Sequence, residues 1–89
     1  MNPRTLRIAK AILTTLDRVS PAQLVETIIH ADAQTQLRNA GETAPSLSEF
    51  NVALVTADQR GWITGVSARV TGQMKWSLSD AGKAALLEM

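Results

Sequence analysis

The tightest constraint on this chain sits in its last third, where a periodic helical stretch runs into Arg60-Gly61-Trp62-Ile63 and the chain resumes at Leu78-Ser79-Asp80-Ala81-Gly82-Lys83. Gly61 is placed to end a helix, because glycine takes the left-handed backbone that closes a helical C-terminus. Residues 62–67 and 73–79 read as strands. In the second, Met74, Trp76 and Leu78 alternate with Lys75 and Ser77, the period of a half-buried strand. Ala68-Arg69-Val70-Thr71-Gly72 supplies the turn between them. Ser79 is a cap for a last helix over residues 80–89, with Asp80 at its positive end. Helix, ribbon and helix in such close succession must pack on whatever lies upstream.

Upstream, Asn2 and Pro3 open a first helix over residues 3–19. Leu6, Ile8, Ala9, Ile12, Leu13, Leu16 and Val19 share one side of it. Arg4, Arg7, Lys10 and Arg18 lie opposite, either as a solvated face or as a strip turned toward phosphate or an acidic partner. Ser20-Pro21-Ala22-Gln23 has the form of a second helix start with a capping box, followed by an apolar stripe of Leu24, Val25, Ile28 and Ile29. Asp32 is a candidate cap for a further short helix carrying Ala33, Leu37 and Ala40, and Gly41 is its stop signal. One long helix and two short ones both fit residues 20–40. Ala44-Pro45 marks a loop. Ser46 and Glu49 then form another capping box for a helix to Arg60, with Leu47, Phe50, Ala53, Leu54 and Ala57 as the inner stripe.

The expected fold class is mainly α with a small antiparallel β-hairpin, in a single domain over residues 1–89. From Leu47 onward the chain resembles the winged helix-turn-helix family of bacterial transcription regulators, in the broad manner of the MarR-like and PadR-like groups. Ala53-Leu54, Asp58-Gln59-Arg60-Gly61-Trp62-Ile63 and Trp76-Ser77-Leu78-Ser79-Asp80-Ala81-Gly82 carry the resemblance. Two features depart from the pattern. The segment 31–45 makes the span between the second helix and the helix at 46–60 longer than a compact helix-turn-helix, so it reads as an insertion. The hairpin also lacks the paired arginines common in the MarR-like group. The resemblance implies a DNA-binding transcription regulator with helix 46–60 in the major groove and hairpin 62–79 as the wing. It extends also to winged helices that serve as protein-interaction or dimerisation modules without touching DNA.

Under the DNA reading, Ser48, Asn51, Val52 and Thr56 face bases, and Arg60, Arg69 and Lys75 supply cations. Glu49 would repel phosphate unless it accepts from a cytosine amine. Double-stranded DNA and a second copy of the chain are the expected partners. A homodimer doubles the contacts of a protomer whose net charge is only +1, and Ala33, Leu37 and Ala40 are one candidate interface. Under the other reading, the outward Val52 and Val55 are covered by a partner or by residues 31–45.

Other chemistries find no support. The chain has no cysteine and one histidine, so a disulfide framework, a thiolate metal site and a nucleophile–base pair are all unexpected. No phosphate-binding or dinucleotide-binding glycine motif is present. The protein is expected to be a non-enzyme with no cofactor and no metal. It has no apolar run of about 20 residues that would span a membrane, and a cytoplasmic location is expected. Trp62 and Trp76 read as packing beneath the ribbon rather than as a base-stacking pair. His30 reads as a surface or helix-end residue.

Overall fold

A computed structural model describes residues 1–67 and 72–89. Its elements run α1 (Pro3–Val19), β1 (Leu24–Val25), α2 (Glu26–Asn39), α3 (Leu47–Gln59), β2 (Ile63–Ser67), β3 (Met74–Leu78) and α4 (Asp80–Glu88). α1 begins as its first residues dictate. The Asn2 side chain accepts from the Thr5 amide, and Pro3 occupies the first turn, where no amide donor is needed. Its apolar side, Ile8, Ala9, Ile12, Leu13 and Leu16, is completely or almost completely buried. α2 and α3 both pack on this helix, so α1 is the central member of the core.

The segment after α1 departs from the expected helix start. Ser20 is the C-cap of α1, and its side chain opens no second helix. Leu24 and Val25 are extended and pair antiparallel with Trp76 and Lys75. The hairpin thus becomes a three-stranded sheet of order β1-β3-β2, with β3 central. Strand pairing to a partner some 50 residues away outweighs the local capping pattern, and β-branched Val25 suits the extended conformation. Val25 then serves as the N-cap of α2 without a side-chain cap bond.

Residues 26–39 form one helix, which carries most of the extra length seen in the sequence. Ile29, Ala33 and Leu37 recur at helical spacing and are buried in the core. Ala33 and Leu37 are therefore unavailable as a dimer interface, and Ile28, expected inside, is exposed. Asp32 caps nothing. It accepts from Thr15 Oγ1 (2.6 Å), Gln36 Nε2 (2.8 Å) and Arg18 Nη1 (3.3 Å), which locks α2 against α1. Those bonds, the Thr15 hydroxyl first, hold its carboxyl below the usual range. Gln36 Nε2 also reaches Thr15 Oγ1 and the Ala11 carbonyl, so the polar groups around buried Thr15 are satisfied.

α2 and α3 both stop at glycine. Gly41 and Gly61 adopt φ of 79° and 73°, and the next amide in each case reaches back to an orphan carbonyl, Glu42 to Leu37 and Trp62 to Ala57. Trp76 is buried, and its Nε1 donates to Glu26 Oε1 at 3.1 Å, which ties the central strand to the start of α2. Trp62 is half-buried against the same core.

Candidate nucleic-acid interface

The first turn of α3 is held from three sides. Ser46 Oγ accepts from the Glu49 amide and Glu49 Oε1 accepts from the Ser46 amide, the reciprocal pair expected from the sequence. Arg4 of α1 then donates through Nε to Glu49 Oε2 at 3.0 Å and through Nη2 to the Thr43 carbonyl at 2.8 Å. His30 stacks on Phe50 with ring centroids 4.6 Å apart, and its Nε2 lies 3.1 Å from the Pro45 carbonyl. His30 is thus an anchor between α2, α3 and their connecting loop, which its local sequence did not reveal.

Beneath, α3 buries Phe50, Ala53, Leu54 and Ala57. Above, Ser48, Asn51, Val52, Val55 and Gln59 are exposed, and nothing in residues 31–45 folds over them. Val52 and Val55 retain 57% and 53% of their surface. Asn51, Val52, Val55 and Thr56 line one shallow depression. Thr56 is half-buried at the edge of that depression, and its hydroxyl donates to the Val52 carbonyl at 2.7 Å, so its donor is spent within the helix. Leu47, expected in the inner stripe, is 63% exposed at the helix start.

Charge is distributed differently from the sequence expectation. Arg4, Arg7 and Arg18 pair with Glu49, Glu42 and Asp32 respectively. Three of the four basic residues on that side of α1 therefore pair with its neighbours, and Lys10 is exposed. Glu49 is held ionised, since Arg4 and the Ser46 amide lower its carboxyl pKa to about 2, and its charge is balanced by the Arg4 guanidinium. The pair as a whole carries no net charge. Arg60 is the C-cap of α3 and lies with its guanidinium 5.4 Å from the centre of the Trp62 ring, exposed on its other side. Lys75 is exposed on the central strand, opposite Val25 and Val66. α3 meets the sheet mainly through β2, so Lys75 stands apart from the α3 row. Arg69 lies outside the described residues.

The hairpin is stitched at its base. Ser79 donates through its amide to the Trp62 carbonyl (3.0 Å) and through Oγ to the Gly61 carbonyl (2.5 Å), while Oγ accepts from the Gly82 amide. The two sequence signatures, Arg60-Gly61-Trp62 and Leu78-Ser79-Asp80-Ala81-Gly82, are therefore one contact in space. It sets the end of α3, the ribbon and the start of α4 relative to one another.

The paired carboxylates make acid stability a measurable consequence. Glu49 and Asp32 have folded-state pKa values below their unfolded ones, so their contribution is present above the unfolded pKa and fades as pH falls through the folded one. A Glu49→Gln protein should melt below the wild type at about pH 6, and the gap should close as pH falls from about 4.3 toward about 2. Melting curves across that range check it. A gap independent of pH would assign the loss to packing instead.

Three helices followed by a ribbon, whose central strand is also joined by the chain entering α2, define a winged helix-turn-helix fold, mainly α with a small antiparallel sheet. The chain is similar in structure to the transcriptional regulator Cth-833 from Clostridium thermocellum, with TM-score 0.75 and 11% identity over 99% of this chain and 82% of that one. It is also similar to TA0346 from Thermoplasma acidophilum, assigned as a transcriptional regulator (TM-score 0.66, 22% identity, 99% and 81% covered). The smu.1704 protein from Streptococcus mutans UA159 gives TM-score 0.67 and 19% identity over 94% and 73%. At these identities the likeness is one of fold. No protein family model matches the chain, and no curated protein does. Among the described residues, no helix is long and apolar enough to cross a membrane.

Proposed function

We propose that this protein is a DNA-binding transcription regulator, with α3 entering the major groove and hairpin 62–79 lying on the adjacent backbone as the wing. The observation that carries the reading is the uncovered row Ser48, Asn51, Val52 and Val55 on a helix whose first turn is clamped in place. A groove-reading helix needs both an open face and a fixed orientation. Pairing of Glu49 with Arg4 weakens the main objection from charge. Arg60, Arg69 and Lys75 are the proposed phosphate contacts. The resemblance in fold to a transcriptional regulator supports the reading.

The protein acts as a homodimer in this proposal, because so few cations per protomer gain from a second half-site. With Ala33 and Leu37 in the core, the apolar side chains open to a second copy include Leu6 and Leu87, on the mutually packed first and last helices. A cytoplasmic location follows from the proposed target. Exposed Val52 and Val55 favour one other reading, a winged-helix module that docks a protein rather than DNA.

A polarisation titration against random duplexes at about 50 mM salt separates them, since even non-specific DNA binders register there. No binding at micromolar protein would exclude the regulator. Binding is expected, with log K falling against log salt at a slope of about −3 per protomer for the three proposed cations. Arg60→Ala should make that slope shallower by about 1.

A further inference from the structure

The chemistry of the α3 face specifies which bases it reads. We infer that α3 selects A·T base pairs, with the Asn51 amide on adenine and the methyl groups of Val52, Val55 and Thr56 on thymine. This rests on the DNA-binding reading above and adds the class of target.

Guanine offers two acceptors side by side in the major groove, a pattern met best by arginine or lysine. α3 has neither between Leu47 and Gln59. Cytosine offers an amine, met by a carboxylate. Glu49 is the acid nearest the reading row, and both its oxygens are engaged by Arg4 and the Ser46 amide. Asp58 is exposed but does not border the depression lined by Asn51, Val52, Val55 and Thr56. Neither specific route to a G·C pair is therefore offered around that depression.

The routes to A·T are open. Adenine presents a donor and an acceptor together, the complement of a carboxamide, and the Asn51 amide makes no hydrogen bond among the described residues. Thymine presents a methyl group. Val52 and Val55 are more than half exposed, and Thr56 has its hydroxyl turned back to the Val52 carbonyl. These four side chains border one depression, so an A·T pair seated there would meet the amide with its adenine and the methyl cluster with its thymine. Apolar side chains that look out of place on a solvent-facing helix have a partner in this arrangement.

The test is selection of bound duplexes from a random pool by the full chain at constant low salt, followed by base-analogue substitution in the selected site. The expected result is an A·T core. Replacing its thymines by uracil removes only the methyl group and should weaken binding about fourfold per contacted base, the worth of one buried methyl. Replacing A·T by inosine·cytosine keeps the minor-groove pattern and changes the major-groove one, and it should weaken binding about tenfold or more. Asn51→Ala should lose about 5- to 100-fold on the selected site and nothing on random DNA. A guanine-cytosine core, or full tolerance of inosine·cytosine, overturns the inference while leaving DNA binding intact. Failure to bind any duplex overturns the DNA-binding reading itself, and the inference with it.

Discussion

A Gly82→Ala protein should be destabilised by about 3 kcal/mol, the upper part of the range for forcing extra volume into a packed site. Gly82 is buried in the first turn of α4. A Cβ built there would lie 2.1 Å from the Trp62 carbonyl oxygen and 2.7 Å from Leu78 Cδ1. The carbonyl belongs to the backbone and already accepts from the Ser79 amide, so it can retreat only by breaking the stitch at the hairpin base. The side chain of Leu78 can turn away, but the carbonyl cannot. For a domain of this size the loss corresponds to a fall in Tm of about 12 °C or more. Thermal melts followed by circular dichroism measure it, with exposed Ala81→Ser as the neutral neighbour. A Gly82→Ala melt within about 3 °C of wild type would mean that α4 shifts freely on the ribbon.

The largest expected effect on binding comes from Val52→Glu. Val52 is 57% exposed in the middle of the outward row and supports no core contact. The melt should therefore stay within about 0.5 kcal/mol of wild type. DNA affinity should drop about 100-fold, because the change removes an apolar contact and sets a carboxylate among phosphates. Lys75→Ala, away from α3, should lose far less and should do so by flattening the salt dependence. If Val52→Glu binds as tightly as wild type, α3 is not the groove-reading element. The same substitution also bears on the protein-docking alternative: it would abolish capture of a protein partner in a molecule that never bound DNA.

The parts of this fold that could be read in advance are those fixed by neighbours in sequence. Asn2, Ser46 and Ser79 cap the helices they precede, and Gly41 and Gly61 close the ones they follow, because a cap involves only the adjoining turn. The outward row of α3 was legible for the same reason, since Phe50, Ala53, Leu54 and Ala57 define its inner side. Leu24 and Val25 were not. Their conformation is set by Trp76 and Lys75, far along the chain, while Ser20-Pro21-Ala22-Gln23 imitates a helix start that never forms. Ile28 and Leu47 obey helical periodicity yet face outward, because no element lies over the positions they occupy. The ion pairs of Arg4, Arg7 and Arg18 join residues 14 to 45 positions apart, and no local pattern announces them.

Those three ion pairs bear on how such a protein would find its target in a cell. A regulator must search a chromosome on which unrelated sequence vastly outnumbers its own sites, and loose cations prolong every unproductive stop. Arginines already paired with carboxylates where α1 meets α2, α3 and their connecting loop offer less charge to stray phosphates. Fewer copies would sit idle on bulk DNA, and occupancy of the proper site would rise with discrimination rather than with raw grip. Breaking the pairs would free positive charge, raise background residence, and leave fewer molecules in circulation.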